Sequence, residues 1–212
     1  MVKLGWFWVS ALTLGCTFGP LDETGKHCST ERPCSPGFFC LGDLCQPAGD
    51  GGRVNLLKNP SFEEGAAVEW KAQGRLSDER TVVRTGAISA RVSPAATSPT
   101  FIALLPASNV VAPTLPNVTY CASLYVRGAP GLEMNLLFRE HAADTIGSVT
   151  LTNARHVLID TAWTLFKPQP LKTQGGVAQL DLRLQNANPF TATDYFLVDD
   201  AEVYQSQTGT CP

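Results

Sequence analysis

The sequence predicts an all-β protein: an antiparallel β-sandwich preceded by a small disulfide-rich module. Apolar and polar residues alternate with a period of two over most of residues 53–206, where long stripes with a 3.6-residue period are missing. Gly, Pro and Asn turn residues separate these short segments, which is typical of an antiparallel sandwich. Four cysteines fall within residues 28–45 and predict the disulfide-rich module.

The composition bears on two broad classes of protein. Of the 212 residues, 44% are hydrophobic and 17% are charged, and the formal net charge is −3. A chain this apolar with so small a net charge is not disordered. It is also not basic enough to favour nucleic acid as a partner. The predicted organisation is a signal peptide (1–15), a cysteine module with a hinge (16–50), a sandwich (53–206) and a tail (207–212).

The N-terminus reads as a targeting segment. Lys3 precedes an apolar stretch over residues 4–14, which is shorter than the roughly 20 residues of a transmembrane helix and predicts a signal peptide. Leu14-Gly15-Cys16 resembles the lipobox of bacterial lipoproteins. The resemblance implies a lipid on Cys16, export to the cell envelope as an outer-membrane or surface lipoprotein, and membrane contact through that lipid only. Ordinary signal cleavage and an uncleaved anchor are the alternatives.

The cysteine count fits an exported protein. The chain has 7 cysteines, so lipidation of Cys16 leaves an even number for disulfides. Cys28, Cys34, Cys40 and Cys45 lie in a stretch too short to bury a stable core, which predicts two stabilising disulfides. Their spacing is wider than the Cys-x2–4-Cys pairs of zinc sites and disfavours a metal. We expect the module to be a spacer, with protein binding as the alternative.

The pairing within the module is open by spacing alone, since four cysteines allow three connectivities. A resemblance to small knotted repeats with a Gly-x-x-Cys core implies the interleaved pairs, Cys28–Cys40 and Cys34–Cys45. Cys121 and Cys211 remain, and a disulfide between them would tie the tail to the sandwich through a loop of about 90 residues. The alternative is that both of these are free thiols.

Period-two alternation places nine strands in the predicted sandwich. They are residues 80–84, 88–92, 101–105, 119–127, 132–139, 147–151, 163–167, 178–185 and 195–204. Helices should be minor.

Alternation also assigns a solvent face to each strand. In residues 178–185 three leucines point to one side and the polar residues point to the other. If this strand neighbours 119–127 and 132–139, one sheet displays a shared polar face, on which we predict ligand binding. The predicted ligand-binding residues are Tyr125, Arg127, Asn135, Arg139, Asp181 and Arg183. The alternative is an ordinary solvated sheet face.

Five segments, in order, carry a family resemblance. They are Asn55 to Gly65 followed by Trp70, Thr85 to Val92, Tyr120 to Arg127, Trp163 with Phe166, and Phe196 to Val203. Together they resemble the galactose-binding-like jelly-roll modules of carbohydrate-binding families four, nine and twenty-two. The resemblance covers nearly all of residues 53–206 and implies a jelly roll that binds a polysaccharide or another glycan. Modules of this kind are non-catalytic and usually attached to glycoside hydrolases.

The resemblance also implies a structural Ca²⁺ ion between the first strand loop and the last strand. The implied ligands are Glu63, Asp200 with Asp199 as a substitute, and backbone carbonyls such as that of Gly86. Calcium takes six to eight oxygen ligands, so carbonyls must contribute. The alternative is that Glu63 caps or pairs locally and that the two aspartates are edge charges. Such modules stack sugar rings on exposed aromatic side chains, and Tyr125 is the clear aromatic on the predicted face.

Catalytic motifs are missing from the sequence. His27, His141 and His156 do not fall at metal-ligand spacing, and there is no nucleophile elbow, P-loop or dinucleotide fingerprint. We therefore expect a non-enzyme: an exported, lipid-anchored protein whose jelly roll binds glycan. The alternatives are a structural or adhesion lipoprotein that uses the same face for protein contacts, and an accessory module of a glycan-hydrolase system.

Overall fold

A computed structural model describes residues 26–29, 32, 34, 38–41, 44–47, 53–95, 102–142, 149–175, 178–206 and 208–211. The side chains of 149–158 and of Phe39, Leu41, Gln46 and Pro47 lie outside the description, as do the predicted signal peptide and Cys16. The chain divides into two compact units, Met1–Pro47 and Ala48–Pro212. Nowhere in the described ranges is there a helix with the length and apolarity of a membrane span.

Thirteen strands make up the described secondary structure. They are β1 (Phe38–Leu41), β2 (Leu44–Pro47), β3 (Trp70–Gln73), β4 (Arg75–Glu79), β5 (Ser89–Ser93), β6 (Ala103–Pro106), β7 (Thr119–Gly128), β8 (Leu132–Ala142), β9 (Val149–Ile159), β10 (Thr164–Phe166), β11 (Leu171–Lys172), β12 (Ala178–Asn186) and β13 (Phe196–Ser206).

The small unit is a hairpin held by disulfides. Strands β1 and β2 pair antiparallel, and the Cys45 N–H donates to the Lys26 carbonyl at 2.7 Å. Cys28 is bonded to Cys40 and Cys34 to Cys45, the interleaved pairs that the resemblance to small knotted repeats implies. Sulfur atoms of Cys28, Cys34 and Cys45 lie within 4.8 Å of one another. Because all of them are bound in disulfides, they are not the thiolates that a zinc site requires.

The large unit confirms the predicted antiparallel sandwich. One sheet has six strands, in the order β10-β7-β13-β5-β4 with β11 also paired to β7. The other has five, in the order β3-β6-β12-β8-β9. The predicted leucine ladder of β12 faces the core, where Leu180, Leu182 and Leu184 are almost fully buried. Hydrophobic side chains of both sheets form one buried cluster, so burial of these faces holds the two sheets together.

The start of the large unit lies beside its last strand. The Leu56 N–H donates to the Val203 carbonyl at 2.7 Å, and the Ala201 N–H donates to the Pro60 carbonyl at 2.9 Å. A disulfide joins Cys121 of β7 to Cys211, so the segment after β13 is tied to the six-stranded sheet as the sequence predicts. The chain is thus fastened at both ends of this unit to β13 and its neighbour β7.

One predicted strand is wrong. Residues 80–84 form a loop between β4 and β5, and the strand in this region is β4 itself. Alternation did not predict β4, nor β3 or β11. The alternating pattern of 80–84 is short, and long-range contacts decide its conformation. The Arg84 and Thr85 N–H groups donate to the carboxylate of Asp199 rather than to a neighbouring strand.

Candidate functional site

The predicted shared polar face is divided between the two sheets. Tyr125 and Arg127 lie on β7 in the six-stranded sheet, whereas Asn135, Arg139, Asp181 and Arg183 lie on β8 and β12 in the five-stranded sheet. The expectation of a single face is therefore wrong, because β7 pairs with β10, β11 and β13 and not with β8 or β12. Alternation assigns a face within each strand, but it does not specify which strands pair.

Four of the six predicted residues remain together, on the outer side of the five-stranded sheet. Arg139 and Asp181 stand directly opposite each other and form a two-point ion pair, with Nε–Oδ1 at 2.9 Å and Nη2–Oδ2 at 2.6 Å. The side chains are only 13% and 16% exposed. The His141 Nε2 atom lies 3.6 Å from Oδ2 of the same aspartate. A bidentate pair in such a sheltered position is geometrically fixed.

Arg183 lies two residues along β12 from this pair, on the same side of the strand. It stands opposite Leu137, and its Nη2 donates to Oε1 of Gln73 at 2.7 Å. Burial lowers the pKa of Arg183, the nearby charge of Arg139 lowers it further, and Asp181 opposes both effects. Two guanidinium groups and one carboxylate therefore lie side by side on this sheet.

Amide side chains complete this surface. Asn135 stands opposite Gln185 across β8 and β12, and the Asn109 Nδ2 donates to Oε1 of Gln179 at 2.5 Å. We call this surface the polar face. Its residues are Gln73, Asn135, Arg139, Gln179, Asp181, Arg183 and Gln185. Among the described residues that share this side of the sheet, none is a Phe, Tyr or Trp.

Four Tyr or Trp rings on or beside the six-stranded sheet are paired with arginines. The Arg84 guanidinium lies 3.4 Å from the Tyr125 ring centroid, and the Arg127 guanidinium lies 5.8 Å from that of Trp163. Two further pairs, Arg91 with Tyr195 and Arg53 with Tyr204, have distances of 3.6 Å and 4.8 Å. One face of each ring is thereby covered by the protein's own arginine. Tyr125 is consequently not an open platform for a sugar ring on that face.

A groove of about 580 Å³ lies on the six-stranded sheet. It runs between the opening segment of the unit, β7, β13 and the segment that follows β10. Charged and aromatic side chains on its walls include Arg53, Tyr125, Lys167, Glu202 and Tyr204. Its cations and carboxylates are mixed, and both of its aromatic rings, Tyr125 and Tyr204, have one face covered by an arginine.

The residues expected to bind Ca²⁺ do converge, on the loop of residues 80–88. The carboxylate of Glu63 accepts from the Ala87 and Ile88 N–H groups, and that of Asp199 accepts from the Arg84 and Thr85 N–H groups. Asp200 forms an ion pair with Arg84 and accepts from the Thr85 hydroxyl. Gly86 lies within this loop with a φ of +62°. The partners that the structure shows for these carboxylates are hydrogen-bond donors.

Several residues of both regions are missing from the sequence-based predictions. Gln73 reaches Arg183 from a position 110 residues away, and Arg84 reaches Asp200 from a position 116 residues away. Gln185 could have been found from its sequence, because it continues the outward alternation of Asp181 and Arg183 along β12. The sequence contains no comparable indication for Arg84. Its position depends on the conformation of the loop between β4 and β5, which forms only when β5 pairs with β13.

Comparisons with known proteins bear on the fold. No protein-family model and no curated protein matches the sequence. A family 61 carbohydrate-binding module in complex with β-1,4-galactotriose matches with a TM-score of 0.50 and 17% identity, over 72% of this chain and 99% of that chain. A family 16 carbohydrate-binding module has a TM-score of 0.53 and 18% identity, over 70% of this chain and 99% of that chain.

A third solved structure extends the likeness to one of the families that the sequence resembles. The family 22 xylan-binding domain from Paenibacillus barcinonensis Xyn10C has a TM-score of 0.50 and 18% identity, over 68% of this chain and 90% of that chain. At these identities the likeness concerns the fold and does not assign a ligand. The unit Ala48–Pro212 has the β-sandwich fold of carbohydrate-binding modules.

Proposed function

We propose that this is a non-catalytic, exported and lipid-anchored protein whose polar face binds a glycan. The export and the anchor rest on the signal-like segment and the lipobox-like Leu14-Gly15-Cys16. Disulfides in both units are in keeping with an oxidising compartment. Intact-mass analysis of the mature protein tests the anchor, which predicts a lipid adduct on Cys16.

The observation that carries the glycan proposal is the fixed Arg139–Asp181 pair with Arg183 and the amides beside it. Sugar hydroxyls both donate and accept hydrogen bonds, so a site that orients them needs both kinds of partner. Arg183 supplies donors, Asp181 supplies acceptor oxygens, and Asn135 and Gln185 supply both. Because the ion pair is already formed, little side-chain entropy remains to be lost when a ligand binds.

The structural neighbours suggest which glycans to test first. One was solved with β-1,4-galactotriose and another is described as xylan-binding. We therefore propose β-1,4-linked plant polysaccharides as the initial ligand class for this protein. The test is a glycan array that also carries microbial and animal glycans, followed by titration calorimetry of any hit.

Arg183→Ala is the most direct variant because Arg183 is central to the polar face. Loss of its charged hydrogen bonds should weaken binding at least about tenfold. Arg127→Ala is the matched control, since it removes one guanidinium from the outer side of the six-stranded sheet. It should leave the affinity within about twofold. No binding across the array, or a loss confined to Arg127→Ala, would refute the proposal.

One observation favours a second candidate function. The described residues of the polar face include no Phe, Tyr or Trp on which a pyranose ring could stack. A structural or adhesion protein does not need such a platform, and arginine is enriched in protein interfaces. An array without hits, together with specific binding of a protein partner that Arg183→Ala abolishes, would establish this candidate instead.

A further inference from the structure

The loop of residues 80–88 is held by three carboxylates that come from distant parts of the large unit. Glu63 lies in the opening segment, and Asp199 and Asp200 lie on β13 where its register with β7 shifts. Asp200 has a φ of +45°, which turns its side chain at that irregularity. The loop, the start of the unit and the last strand are thus fastened together at one place.

Glu63 binds the C-terminal end of the loop by accepting hydrogen bonds from backbone N–H groups. Its Oε1 accepts from Ala87 at 3.0 Å and from Ile88 at 3.1 Å, and its Oε2 lies 3.1 Å from the Ala87 nitrogen. A Cβ atom on Gly86 would overlap this carboxylate. The Glu63 carboxylate therefore occupies the space that a side chain at position 86 would fill.

Asp199 binds the middle of the loop, and its side chain is fully buried. Its Oδ2 accepts from the Arg84 N–H at 2.9 Å and the Thr85 N–H at 3.3 Å, and its Oδ1 accepts from the Asp200 N–H at 2.9 Å. Burial raises the pKa of Asp199, while the N–H donors of Arg84 and Thr85 oppose the rise. Both oxygens of this carboxylate therefore have protein donors.

Asp200 has a cationic partner. The Arg84 guanidinium forms an ion pair with Oδ2, and the Thr85 hydroxyl donates to Oδ1 at 2.7 Å. The same guanidinium stacks on the Tyr125 ring, and both ion-pair side chains are less than one-third exposed. Burial disfavours the charge on Arg84, but its hydrogen bond and attraction to Asp200 prevail and raise its pKa.

These three carboxylates, as the protein arranges them, do not fit a calcium ion. Calcium needs several oxygens that point their lone pairs at one centre. Here every oxygen of the three carboxylates accepts at least one hydrogen bond, and a guanidinium already neutralises Asp200. We propose that the Arg84 guanidinium, clamped between Asp200 and Tyr125, takes the place that the family resemblance assigns to Ca²⁺. The loop is then held without a metal ion.

The test measures the melting temperature of the full chain with EDTA and with added Ca²⁺. The wild-type protein should not respond to either by more than about 1 °C. Arg84→Ala leaves Asp200 without its cation and should lower the melting temperature by about 3–8 °C. Added Ca²⁺ should then recover part of the loss, because the Asp200 carboxylate has lost its cationic partner.

Arg80→Ala is the matched control, since Arg80 lies in the same loop and pairs with Asp78 through a side chain that is 63% exposed. It should cost less than about 2 °C and should not create a response to Ca²⁺. The proposal is overturned if EDTA destabilises the wild-type protein and Ca²⁺ restores it. It is equally overturned if Arg84→Ala is as stable as the wild type. The wild-type measurements decide the question even if Arg84→Ala does not fold.

Discussion

The outer sides of the two sheets use arginine in different ways. On the five-stranded sheet, Arg139 pairs with a carboxylate and Arg183 with an amide. On the six-stranded sheet, four arginines lie over Tyr or Trp rings. The fixed ion pair and the amides of the polar face thus lie on one side. The rings that could stack on sugars lie on the other, each with one face covered.

This difference separates cohesion of the surface from ligand binding, two roles that the predicted shared face combined. A guanidinium that stacks on a ring contributes cohesion to the surface, about 0.5–2 kcal/mol according to its exposure. It also makes that ring face unavailable to a ligand. The six-stranded side therefore joins the chain's distant segments, whereas the five-stranded side holds the candidate binding groups. Arg84 illustrates the first role, since it contacts both Tyr125 and Asp200.

Gly86→Ala has the largest expected effect. It tests how strongly the contact between Glu63 and the loop of residues 80–88 stabilises the six-stranded side. Alanine at a φ of +62° costs about 1–2 kcal/mol in strain. Its methyl group would also expel the Glu63 carboxylate from its bonds to the Ala87 and Ile88 N–H groups, which adds about 1.5–3 kcal/mol. Urea unfolding should therefore show a loss of roughly 3 kcal/mol or more.

Gly131→Ala is the matched control for that measurement. Gly131 has a φ of +86°, but no atom lies within 4 Å of the position that its Cβ would take. It should cost only the strain, about 1–2 kcal/mol. In a Glu63→Ala background the extra cost of Gly86→Ala should disappear. Equal losses for the two glycine variants would show that the Glu63 contact does not stabilise the loop.

The arrangement of the sheets also shows which structural features the sequence could predict. The leucine ladder of β12 was predictable because burial of one face imposes a period of two within a single strand. The pairing of β12 with β8 and β6 was not, because pairing is chosen by contacts between strands far apart in sequence. The error over residues 80–84 has the same origin. These five residues satisfy a short strand pattern, yet the Arg84 N–H donates to Asp199 and not to a neighbouring strand.

The candidate site was predictable to a similar extent. Alternation correctly placed Asn135, Arg139, Asp181 and Arg183 on outward-facing positions, and these share one sheet. It could not exclude Tyr125, because the outward positions of two opposed sheets have identical patterns. The cation over Tyr125 comes from a loop 41 positions earlier in the printed sequence. Local periodicity carries no information about such a contact.

The contrast between the two sheets applies to their outer sides, whereas inside the sandwich a buried carboxylate of one sheet affects the pKa of a buried tyrosine of the other. Glu140 of the five-stranded sheet is fully buried and accepts from the Thr114 hydroxyl at 2.6 Å and the Gln174 N–H at 2.8 Å. Tyr120 of the six-stranded sheet is also buried. Burial, followed by the negative charge of Glu140, raises the pKa of Tyr120 from 10.0 to about 12.

This buried tyrosine predicts a smaller, pH-dependent effect. In the unfolded chain Tyr120 loses its proton near pH 10, whereas in the folded protein it keeps the proton up to about pH 12. The unfolded state therefore binds fewer protons between these values, so stability falls as pH rises from 10 to 12. The loss should approach roughly 2 kcal/mol at the upper end. Urea unfolding of the wild type and Tyr120→Phe at several alkaline pH values isolates the contribution of this group. Since Phe cannot ionise, the stability difference between the two proteins should shift steadily in favour of Tyr120→Phe as the pH rises. A constant difference would mean that the pKa of Tyr120 is not raised in the folded protein.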